Sequence, residues 1–161
     1  MLLRQYVKST RTVDLKKTKP EQFSAHLADC VILTKDNKIL MQQRPENWGK
    51  HADVLNIFGG HVEEGETVLE GLIRELHEEL GAVVKAEDVV FIGAITEDWT
   101  DHTEIVHVHF WHDIEGTMTG CYEAEAREYD TVHQALEHPK IMDYAIWALQ
   151  ACEDKGLFKN Q

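Results

Sequence analysis

Residues 60–82 read GHVEEGETVLEGLIRELHEELGA, and the fold is decided there. Val68, Leu72, Leu76 and Leu80 recur every four residues, and Leu69 and Ile73 widen the stripe. That spacing predicts a helix over 67–80 with one apolar face, and Gly81 supplies its stop. On the polar side Glu75, Glu78 and Glu79 stand at i, i+3 and i+4, so they share one face. Like-charge neighbours on a helix repel by roughly 0.2–0.5 kcal/mol per pair. Arg74 is the only lysine or arginine inside the helix, whereas a solvated face ordinarily mixes both signs. Two readings meet these facts. The face is a plain exposed acidic surface, or it holds a divalent cation. Hard Mg²⁺ takes carboxylate oxygens, keeps several waters and bridges to substrate phosphates.

Working outward toward the N-terminus, Gly59 and Gly60 suit a tight backbone path that could turn a carbonyl toward a metal. A short strand is expected over 54–58. The loop before it, 44–53, carries Pro45, Asn47 and Gly49 as breakers. Strands over 28–34 and 39–43 flank the polar turn Lys35-Asp36-Asn37-Lys38. Residues 1–24 read as a peripheral arm with one strand near 2–7. Toward the C-terminus, strands are expected over 89–96, 105–114 and 128–132, and a closing helix from about 140 to about 154, after Pro139. No repeat or linker interrupts the pattern, so 1–161 is expected to be a single domain.

Composition narrows the function. Hydrophobic residues make up 43% and charged residues 28%, as in an ordinary soluble globular protein. Sixteen Lys and Arg against 29 Asp and Glu leave a net charge of −13, which repels nucleic-acid backbones and anionic lipid. An anionic substrate would need divalent cations as intermediaries. No apolar run reaches the ~20 residues of a membrane span. Cys30, Cys121 and Cys152 are odd in number and form no CxxC pair, and the first ten residues lack a secretory pattern. A reducing, cytoplasmic setting is expected, with no nucleic-acid or membrane partner.

The 60–82 stretch resembles the Nudix box of the Nudix hydrolases, G-x5-E-x7-R-E-U-x-E-E-x-G-U, with U a bulky aliphatic. Gly60, Glu66, Arg74, Glu75, Leu76, Glu78, Glu79 and Gly81 match, and Ala82 stands at the last position in place of a larger side chain. The resemblance implies an α+β fold, an α/β/α sandwich with a mixed β-sheet between helices and the box as a loop–helix–loop. It implies Mg²⁺, with Mn²⁺ as an alternative, held by the carbonyl of Gly59 and by Glu78 and Glu79. Glu75 is implied to be a further ligand or the general base, Arg74 to orient a carboxylate, and Gly60 to lie at the substrate. Many family members add a carboxylate from a late loop. Glu123, six residues before Tyr129, is the candidate here and Glu125 the second. Glu66 either holds the loop or complements the helix dipole.

The implied reaction is hydrolysis of a phosphoanhydride by activated water. The substrate reading is a nucleoside triphosphate, oxidised ones included, as in mutator-type enzymes. The alternatives are a nucleoside diphosphate linked to another group such as a sugar, or a nucleotide-sensing module without turnover, against which the intact glutamates speak. A homodimer is one option for assembly. Arg44, at the end of a strand, resembles a phosphate contact. Trp48, Trp99 and Trp111 are aromatic faces that could stack on a base or simply pack. His107 and His109, at i and i+2, could bind a transition metal or line a polar wall; Cys30 and Cys121 read as packing residues. Phe58 stands where many members have proline. The proline that ADP-ribose hydrolases carry some sixteen residues past the box is absent, with Glu97-Asp98-Trp99 in that region. Residues 56–61 also resemble isopentenyl diphosphate isomerases, but those use a cysteine where Phe58 stands and lack a full box.

Overall fold

The structure is a computed structural model that describes residues 10–47, 49 and 52–158. Its strands are β1 (Thr10–Val13), β2 (Ala25–Leu33), β3 (Ile39–Gln43), β4 (Leu55–Asn56), β5 (Phe58–His61), β6 (Val90–Glu97), β7 (Glu104–His112) and β8 (Glu125–Tyr129). Its helices are α1 (Val68–Leu80), α2 (Val132–Leu136) and α3 (Asp143–Asp154).

The strand order is β1-β6-β7-β2-β3-β4, with β5 added to β2 and β8 to β3. The β2–β7 pairing is parallel and the other strand pairs are antiparallel, so the sheet is mixed, as the motif implied. One edge of β2 serves two partners in succession. Leu27 to Cys30 pair with β5, and only Ile32 and Leu33 pair with β3. The sheet therefore splays beside Asp29, with β5 on one side and the β3–β4–β8 group on the other.

Alternation along β2 and β7 sorts the core into two layers. Val31, Leu33, Val106, Val108 and Phe110 face α3, whose Ala145, Ala148 and Leu149 are fully buried. Ala28, Cys30, Ile32 and Trp111 face α1, meeting Leu72, Leu76 and Leu80. Removing each such leucine from water is worth roughly 1.5–3 kcal/mol. Cys30 and Cys121 pack in this second layer, as expected, and Ala82 is buried with them, so the smaller side chain still fills its place.

The helix over 67–80 is present with Thr67 as its N-cap. Thr67 Oγ1 accepts the Glu70 N–H at 3.1 Å, and Glu70 Oε1 accepts the Thr67 N–H at 2.9 Å. Gly81 closes it in the left-handed region, at φ 67°. Three expectations change. The strand over 54–58 is two short strands, because Ile57 bonds to side chains instead of a neighbouring strand. Its N–H donates to Asn56 Oδ1 at 2.9 Å and its carbonyl accepts from Gln42 Nε2 at 2.8 Å. The strand over 128–132 lies earlier, as β8, and Thr131 instead caps α2 by accepting the Gln134 N–H at 3.2 Å. The arm supplies β1, unforeseen, paired with β6. The strand suggested near 2–7 lies outside the described residues.

Candidate active site

Arg74 sits at the centre of the box. Its guanidinium grips both oxygens of Glu66, at 2.8 and 3.0 Å, and donates to the carbonyl of His61 at 3.0 Å and to Glu75 Oε1 at 3.1 Å. Glu66 in turn accepts the Glu63 N–H at 2.8 Å. The pair locks the loop to the helix, which settles Glu66 as a loop anchor. The Arg74 guanidinium holds the Glu66 carboxyl below the usual carboxylate range. Arg74 also reaches Glu78, at a longer 3.4 Å, where the glutamate is half-exposed.

Glu75 lies against Gly60. A Cβ on Gly60 would come within 2.5–2.8 Å of the Glu75 carboxylate, so only glycine leaves this side chain its place. Gly59 is as constrained. Its φ is 144°, and a Cβ there would meet Asp29 Oδ1 and the carbonyl of Ala28. The Gly59 N–H donates to Glu79 Oε1 at 3.3 Å.

Glu79 is the buried member of the triplet, 5% exposed. Burial, and then the charges of Asp29, Glu75 and Glu123, push its pKa up to about 9. Glu123 arrives there because the loop before it closes the end of α1. The N–H of Thr119 donates to the carbonyl of Leu80 at 2.9 Å, and that of Tyr122 to the carbonyl of Glu79 at 2.9 Å. These bonds satisfy carbonyls that a helix end otherwise leaves open. Glu125, the second candidate, is instead an exposed partner of Arg127 at 2.9 Å.

This donor set fits a hard divalent cation. It offers carboxylate oxygens, and its buried carboxylate accepts the Gly59 N–H and sits among three negative neighbours. Among the described residues no three such side chains already meet around one point; Glu75 and Glu78 are turned to Arg74.

Arg44 and Glu123 line one cavity of about 650 Å³, with Gln43, Asp53 and Tyr122. A second cavity, of about 600 Å³, lies beside the arm and the start of α1 and includes neither Arg44 nor Glu79. His107 faces that second cavity. Its Nε2 meets His26 Nδ1 at 3.0 Å, whereas His109 Nδ1 meets the carbonyl of Asp29 at 3.1 Å. Each imidazole thus has its own partner, which argues against a shared transition metal. Trp111 is core and Trp99 exposed, while Trp48 lies outside the described residues.

Sequence reasoning missed a buried polar cluster around Asp29. Tyr144, at the start of α3, gives its hydroxyl to Asp29, and its hydroxyl oxygen accepts from Asn56 Nδ2. The Tyr144 N–H goes to Glu97. Burial pushes Asp29 up to about 8 and Glu97 up to about 7, and Arg44 and a Tyr144 bond partly offset the rise at Asp29. The residues come from four remote segments, so no local pattern in the sequence marks them.

Comparison with known proteins meets this geometry. The NUDIX domain model matches residues 25–148. The chain belongs to the NUDIX family of hydrolases. It is 33% identical over 110 residues to the CTP pyrophosphohydrolase of Escherichia coli strain K12, a match spanning 67% of this chain and 77% of that one. It is 33% identical over 140 residues to the ADP-ribose pyrophosphatase of Methanocaldococcus jannaschii, spanning 83% of this chain and 80% of the relative. The MutT protein of Methanosarcina mazei Go1 shares the fold, with a TM-score of 0.68 at 19% identity over 86% of this chain and 99% of that one. No helix of the described residues is long and apolar enough to cross a membrane.

Proposed function

We propose that the protein is a Mg²⁺-dependent pyrophosphohydrolase that cleaves nucleoside triphosphates to a nucleoside monophosphate and pyrophosphate. The observation that carries this reading is Glu79, a buried carboxylate beside the Gly59 N–H and amid the charges of Asp29, Glu75 and Glu123. In this reading Glu78, Glu79, Glu123 and the carbonyl of Gly59 hold the cation. A bound cation would draw charge from the phosphate oxygens and make water more acidic. Arg74 fixes the direction of Glu75, which either adds an oxygen to that set or takes the proton of the attacking water. The water oxygen forms a bond to phosphorus, and the phosphoanhydride oxygen leaves with the electron pair. Arg44, which lines one cavity with Glu123, offers a cation to the phosphates.

The CTP pyrophosphohydrolase relative favours a triphosphate. The ADP-ribose pyrophosphatase relative favours the second reading, a nucleoside diphosphate joined to a sugar. A nucleotide panel with Mg²⁺, read by phosphate and pyrophosphate release, separates the two. Glu79→Gln should lower kcat by about a hundredfold or more with an unchanged circular dichroism spectrum. Full activity in that variant would remove the metal-binding role.

A further inference from the structure

Trp99 is a large apolar side chain that the core does not use. It is 52% exposed, yet it is held. The indole N–H donates to the Glu97 carboxylate, which is buried and also accepts the N–H of Tyr144 at the start of α3. The turn carrying Trp99 is fixed as well. Thr100 Oγ1 donates to the carbonyl of Glu97 at 3.2 Å, Thr96 Oγ1 meets His102 Nδ1 at 2.8 Å, and the other nitrogen of that ring meets Asp98 at 2.7 Å. Tyr144 spans the space from Glu97 to Asp29, and Asp29 lies against Gly59 beside the carboxylate of Glu79. The exposed ring is thereby linked, through Glu97 and Tyr144, to Asp29 beside Gly59. The second oxygen of Glu97, Oε2, is buried without a partner. An anchored aromatic face with an unfilled carboxylate oxygen behind it has the features of a place for a flat heterocycle.

We propose that Trp99, held by Glu97, is the platform on which the nucleobase of the substrate stacks. The proposal rests on the nucleotide reading above and extends it to a residue outside the box. Glu97 acts as a positioning residue, because it touches the ring rather than the reacting phosphates.

The test uses the whole chain with Mg²⁺ and two kinds of probe, CTP or dGTP against inorganic tripolyphosphate, which has no base. Trp99→Ala should raise KM for the nucleotides roughly ten- to a hundredfold and leave kcat within about twofold, whereas Trp99→Phe, which keeps an aromatic face but loses the bond to Glu97, should raise KM by less. Nucleotides should quench tryptophan emission of the wild type, tripolyphosphate should not, and the quenching should vanish in Trp99→Phe. Glu97→Ala, which leaves the ring but removes its anchor, should raise KM as Trp99→Phe does, and Glu97→Gln, which still offers a carbonyl oxygen to the indole, should rescue it. An unchanged KM in Trp99→Ala, or quenching that persists in Trp99→Phe, overturns the platform. If no nucleotide is hydrolysed but the emission of Trp99 is quenched by nucleotides alone, the pyrophosphohydrolase reading fails and the platform stands.

Discussion

At Gly60 the absence of a side chain is itself a site feature. A methyl group there would intrude on the Glu75 carboxylate and not on backbone, and a flexible carboxylate can swing aside at little cost to folding. Displacing a catalytic group by about 1 Å can cost on the order of a hundredfold in rate. Gly60→Ala should therefore lower kcat at least tenfold while the melting temperature moves little; a large fall in melting temperature with intact kcat would contradict this placement. Residues of this kind were legible in the sequence only through the motif. The spacing put Glu75, Glu78 and Glu79 on one face, but that Arg74 would hold Glu66 through Nε and one terminal nitrogen follows from loop geometry. Glu97 and Tyr144 left no local mark at all, since their bond joins the end of β6 to the start of α3.

At the level of elements, legibility follows how local the determining forces are. α1 was readable because its stripe, its cap and its glycine stop lie within fifteen consecutive residues, 67–81. β8 was misplaced because four of its five residues are exposed, so no alternation marks it, and its position is set by pairing with β3. β1 was missed for a similar reason, being a four-residue strand defined by its neighbour β6. The capping box of α1 can be tested directly. Thr67→Ala removes the acceptor for the Glu70 N–H and should cost about 1 kcal/mol, read as a lower denaturant midpoint at unchanged slope. A midpoint equal to wild type would mean that the Arg74–Glu66 lock alone holds the helix start.

For the molecule as a whole, stability should respond to acid through His107. Burial, then the nearby His26 and His109, lower its pKa from 6.5 to about 4. The unfolded chain thus takes up this proton near pH 6.5, while the folded protein resists it until about pH 4. The folded state binds fewer protons in that window, so the contribution is fully present above pH 6.5 and is lost as pH falls toward 4. The shift corresponds to a contribution on the order of 3 kcal/mol. Melting temperatures measured at pH 5 and pH 7.5 should differ more for wild type than for His107→Gln; equal differences would mean the imidazole is not neutral in the fold. The split of the sheet beside Asp29 is the other property of this scale. It lets β5, which carries Gly59 and Gly60, and β3, on which β4 and β8 pair, leave the same edge of β2.

The bonds from Thr119 and Tyr122 to the last carbonyls of α1 set an order of events. A chain still emerging from the ribosome can wind the glutamate helix early, since its signals are local. It cannot bring Glu123 beside Glu79 until a segment some forty residues downstream has been made and seated. On the reading that Glu123 is a cation ligand, a chain cut before Thr119 should therefore show no turnover, and the first turnover would report that the late loop has docked.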